Sequence, residues 1–78
     1  MHVDILIRMV NQMGSFFEAM PDRAEALHDL AQHVKKFWEP RMRRELLAHL
    51  DVAGMDALNP TSAEAIRVHR ALLEQGLS

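Results

Sequence analysis

The sequence predicts an all-α fold, a small single-domain bundle of three to four helices. Three observations lead there. Ala, Leu, Met, Glu and Arg are abundant while aromatic residues make up 5% of the chain, a composition that favours helix nearly throughout. Apolar residues recur at helical spacing in each of four segments. Three prolines and three glycines divide the chain, most of them where helices start or stop. With 78 residues there is room for one domain. At that size roughly 60% of the unfolded surface is buried, so a partner that binds the folded state adds useful stability.

The first helix is predicted over residues 3–20. Ile5, Leu6, Met9, Val10, Met13, Phe16, Phe17 and Met20 project to one side, and Asp4, Arg8, Asn11, Gln12, Ser15 and Glu18 to the other. Met9, Met13 and Met20 stand at core spacing, where a flexible side chain fills irregular gaps. Val3, Ile7 and Gly14 widen the apolar side to roughly 200°, against the ~100° stripe of a helix facing one core. Glycine inside a helix costs about 1 kcal/mol relative to alanine. Gly14 therefore predicts a close approach by another element, and its strip is either core or a packing face for a partner or a second copy.

Pro21 ends that helix, and Asp22 with Glu25 three residues on has the form of a capping box for a second helix over 22–38. Ala24, Leu27, Leu30, Ala31, Val34, Phe37 and Trp38 make its apolar face. Pro40 suits the first turn of a third helix over 40–51, whose stripe is Met42, Leu46, Leu47 and Leu50, with Gly54 as the stop. A fourth helix over 61–75 is capped either by Asn59 before Pro60 or by Thr61 with Glu64. Ala65, Ile66, Val68, Leu72 and Leu73 face inward, and Gly76 follows. His69 projects onto the middle of that apolar face, as a core histidine bonded to a carbonyl would.

Little in the chain carries chemistry. There is no cysteine, so neither disulfide nor thiolate ligation is available. The serines lack a glycine-rich elbow and no phosphate-cradling loop is present. His28 and His33 lie about 140° apart around one helix, which rules out a shared metal on one face. The expectation is no catalytic, cofactor-binding or metal site. A net charge of −2 disfavours a dedicated nucleic-acid binder. The apolar run Ile5-Leu6-Ile7 is too short for a membrane span, and the expected location is the cytoplasm.

The stretch from Lys35 to Arg44 stands apart, with five basic residues, one acid, two aromatics and a proline. It is either a solvated basic turn or a docking surface, and tryptophan and arginine are over-represented among interface hot spots. Arg43 falls within the apolar side of the third helix, where an unpaired guanidinium is costly. It is expected to emerge at the end of the bundle and receive an acidic partner group. The predicted docking surface is Phe37, Trp38, Pro40, Arg41, Arg43 and Arg44. Two alternatives stand beside it. One is a self-associating helical bundle, including a homodimer. The other is a helix-turn-helix-like DNA-binding regulator, which the overall acidity and the shortage of base-reading Asn or Gln in the third helix disfavour.

Three blocks of residues resemble a known family. They are Arg8-Met9-Val10-Asn11-Gln12-Met13 with Phe16-Phe17, then Pro21-Asp22-Arg23-Ala24, and then Phe37-Trp38-Glu39-Pro40-Arg41-Met42-Arg43. Together they are similar to the delta subunit of NAD-dependent, molybdenum-containing formate dehydrogenases, over roughly Ile5 to Leu50. Val10 and Glu39 depart mildly from the Ala and Asp usual there. The resemblance implies a non-catalytic accessory subunit of a cytoplasmic complex that oxidises formate and reduces NAD. It also implies that molybdenum pterin, iron–sulfur clusters and FMN reside in the larger partner subunits. This chain would contact those subunits, the catalytic one first, and would stabilise assembly or assist molybdenum-cofactor insertion.

Overall fold

Helix boundaries follow from which backbone groups find partners. The computed structural model describes residues 2–77 and contains helices α1 (Val3–Phe17), α2 (Arg23–Phe37), α3 (Pro40–Ala53), α4 (Pro60–Val68) and α5 (Arg70–Leu73). No strand occurs among the described residues. α1 ends three residues before the predicted limit. Pro21 has no N–H to offer the Phe17 carbonyl, which instead accepts from Met20 N–H at 3.0 Å in a tighter turn. Asp22 caps α2 as expected, its carboxylate accepting from Glu25 N–H at 3.1 Å. α3 runs two residues further than predicted and stops at Gly54, whose φ of 82° suits glycine.

The predicted fourth helix is two helices. Asn59 is its cap, accepting from Ser62 N–H at 2.9 Å, so Pro60 occupies the first turn. Glu64 does not form a capping box; it pairs with Arg23, which also donates to Thr61 Oγ1 at 2.7 Å and so ties α2 to α4. The chain leaves helical geometry at His69, where φ is −108° and ψ 28°. This break overturns two expectations. His69 is half-buried at the junction, its ring edge-on to His28 at 5.5 Å, and Val68 is exposed. α5 follows the break and brings Leu73 into the core.

The core gathers Leu6 and Val10 from α1, Leu27, Leu30, Ala31 and Val34 from α2, and Leu46, Leu47 and Leu50 from α3. Ala65, Ile66 and Leu73 close it from the C-terminal side. Full burial of such a side chain contributes about 1.5–3 kcal/mol. Ala26 completes the α2 face in place of Ala24, which is exposed.

The close approach that Gly14 predicts is internal. A Cβ on Gly14 would collide with Ser62 Oγ and the Asn59 side-chain amide, both from the start of α4. Ser62 Oγ donates to the Val10 carbonyl at 2.8 Å. Asn59 N–H donates to Asn11 Oδ1, and Asn59 Nδ2 donates to the Asn11 carbonyl, each at 2.8 Å. Asn11 Nδ2 donates in turn to Ala57 O at 2.9 Å. The strip of Val3, Ile7 and Gly14 is thus turned to the chain's own core and to α4.

Candidate partner-binding surface

The turn between α2 and α3 sorts its aromatic and basic residues by depth. Trp38 leaves the helix with extended backbone, its N–H bonded to Val34 O at 2.9 Å, and its ring enters the core with 4% exposure. Arg43 is equally buried. The expectation that these two stand at the surface is corrected. Trp38 offers the largest apolar side chain next to the core. Arg43 lies one turn before Leu46 and Leu47, on the inward stripe of α3. Its charge is met by backbone: Arg43 Nη1 donates to Leu73 O at 2.8 Å and Gln75 O at 2.9 Å. Those carbonyls lie at the last residue of α5 and in the turn that follows it, so the guanidinium acts as a buried C-cap. Arg43 Nε is the one buried side-chain nitrogen or oxygen without a hydrogen-bond partner among the described residues.

Phe37, Pro40, Arg41 and Arg44 are exposed. They do not form one patch. Arg44 reaches toward the C-terminal segment, with Nη2 3.4 Å from Leu77 O, and borders a groove between α3 and α5. Phe37 packs against His33, one turn earlier on α2. It is 63% exposed, with Lys36 Nζ 5.4 Å from its ring centroid and the His33 ring 4.7 Å away.

From Phe37 an aromatic series continues into a region that sequence reasoning missed. His33 neighbours Phe17 at 6.4 Å, and Phe17 packs edge-on to Phe16 at 5.2 Å. Phe16 is 73% exposed. With Met9, Gln12 and Met13 these side chains line an open groove of about 440 Å³ between α1 and α2. The signal for it was the wide apolar arc of the first helix. One flank, with Val3, Ile7 and Gly14, packs inward, so the opposite flank is the one left in solvent.

Among the described residues no group of three or more His, Cys, Asp or Glu gathers as a metal site would. One ion pair shifts its members' titration clearly. Hydrogen bonds from Arg70 hold the exposed Asp51 carboxyl below its ordinary value, and the same bonds raise Arg70. That pair is bidentate, at 2.7 and 2.8 Å, and joins α5 to α3. No helix among the described residues is long and apolar enough to cross a membrane.

The family model of the NADH-dependent formate dehydrogenase delta subunit, FdsD, matches residues 5–66. The chain belongs to that family. The match runs through the Asn11–Asn59 lock, the α2–α3 turn and most of α4 of this FdsD chain, and stops short of α5. No curated protein and no solved structure matches the chain significantly.

Proposed function

We propose that this FdsD chain is a non-catalytic accessory subunit of a cytoplasmic NAD-dependent formate dehydrogenase, docked on a larger subunit, the catalytic one. It stabilises assembly or assists insertion of the molybdenum cofactor. Molybdenum pterin, iron–sulfur clusters and FMN belong to the larger subunits. The observation that carries the reading, beside family membership, is Phe37: a phenylalanine 63% exposed, under a lysine, at the mouth of a turn rich in cations. Water is a poor neighbour for such a ring, and a desolvating partner improves both its environment and the cation–π contact.

The outward residues at the turn itself, Phe37, Pro40 and Arg41, make the contact in this reading, while Arg44 borders the groove between α3 and α5. Trp38 and Arg43 hold the turn in shape from beneath. Co-expression of the tagged chain with the larger subunits tests it. The wild-type chain retains them, while a Phe37→Glu/Arg41→Glu variant loses retention about tenfold or more, as hot-spot residues do. Unchanged retention rejects this surface. Molybdenum content per large subunit, with and without the chain, separates the two roles. Fewer complexes of normal molybdenum content mean assembly; a normal number of molybdenum-poor complexes means insertion.

A further inference from the structure

We propose that the groove between α1 and α2 receives a short amphipathic helix of a larger formate dehydrogenase subunit, apolar toward the groove and acidic along its flank. The inference rests on the accessory-subunit reading and specifies the partner's chemistry at a surface separate from Pro40, Arg41 and Arg44.

Shape comes first. Ile5, Met9, Gln12 and Phe16 follow one another at spacings of four, three and four, the register of a stripe along one helix face. The stripe spans about 16 Å at 1.5 Å per residue, the length of roughly three helical turns. Ile5 and Phe16 are 42% and 73% exposed. Met9 and Met13 form the floor, and methionine adapts to a partner's side chains without backbone movement. A helix laid in a groove through anchors one turn apart is a recurring mode of recognition.

Charge then chooses the occupant. None of the six lining residues is a carboxylate, in a chain with more acids than cations. His33 forms part of the wall, Lys36 stands over Phe37, which packs against His33, and Arg8 lies one turn before Gln12 on the outer flank, with Asp4 a further turn before it. Asp29, one turn before His33, is directed to His28, at 3.7 Å. Two cations, Arg8 and Lys36, thus flank a lining that holds no carboxylate. A second copy docked through a two-fold axis would set those cations against their own copies. A helix carrying acids beside its apolar face meets them with opposite charge.

The test uses the full chain co-expressed with the larger subunits of its enzyme. A photo-crosslinking residue replaces Phe16, whose exposure leaves the fold intact. Separate Phe16→Glu and Gln12→Glu variants place a carboxylate in the groove. The expected result is a crosslink from position 16 to an acid-flanked apolar helix of a larger subunit, with retention of the variants about tenfold weaker. Retention equal to wild type, with no such crosslink, overturns the groove inference and leaves the accessory-subunit reading standing. A crosslink to a second copy overturns it in favour of self-association. Failure of the wild-type chain to retain any larger subunit overturns the accessory-subunit reading and this inference together.

Discussion

At the scale of single residues, Gly14, Trp38 and Arg43 carry the most information. The close approach at Gly14 was legible, because a helix keeps a glycine at a loss only where something needs the room. That the neighbour is α4 was not, since no periodicity reports which element lies opposite. Gly14→Ala gains helix propensity yet is expected to destabilise the chain by about 1–3 kcal/mol, from overpacking against Ser62 and Asn59. A lowered urea midpoint checks it. Arg43 projected onto the inward stripe correctly, but its acceptors are main-chain carbonyls thirty or more residues away, and main-chain acceptors leave no mark in a sequence. Arg43→Ala is expected to cost roughly 2–4 kcal/mol through the lost charged hydrogen bonds. Trp38→Ala is expected to cost about 3–5 kcal/mol by cavity formation. Both appear as reduced urea midpoints of the isolated chain, so neither substitution reports cleanly on docking. An Arg43→Ala chain with an unchanged midpoint would show that the guanidinium lies outside the core.

At the scale of elements, starts were more legible than ends. Asp22, Pro40 and Asn59 announce helices because a cap or a proline acts locally on N–H groups that have no other partner. The break at His69 has no such local cause; it accompanies the packing of α5 on α2, with the Asp51–Arg70 pair tying α5 to α3. The Asp51–Arg70 pair reinforces that packing and carries a pH signature. Asp51 titrates below its ordinary value near 3.8 in the folded chain, so its contribution is fully present above that value. It is lost as pH falls through the lowered one. Asp51→Asn is accordingly expected to reduce Tm slightly at neutral pH, with the gap to wild type closing under more acidic conditions. A gap independent of pH would remove the pair from the account. Asn59→Ala removes a cap and the side-chain bond to the Asn11 carbonyl, for an expected loss of roughly 1–3 kcal/mol, read as a lowered urea midpoint.

At the scale of the whole molecule, the all-α bundle was legible in periodicity and composition, because burial of one face per helix leaves a regular trace. The candidate surface was half legible. The basic turn is a run in sequence, while the α1–α2 groove joins Phe16 to His33 across space and has no linear signature. If Arg8 and Lys36 guide association, added salt lowers the rate of binding to the larger subunits and changes dissociation little. Stopped-flow mixing at several salt concentrations checks this, and a salt-independent association rate speaks against an acidic partner. The Asn11–Asn59 lock also sets a timetable. Its two halves lie 48 residues apart, so α1 is synthesised well before its mate exists. At ~5–20 residues per second the interval is several seconds, during which the stripe destined for α4 stays uncovered. The face of α1 around Gly14 is thus completed by its own chain only when the last quarter of the sequence is made.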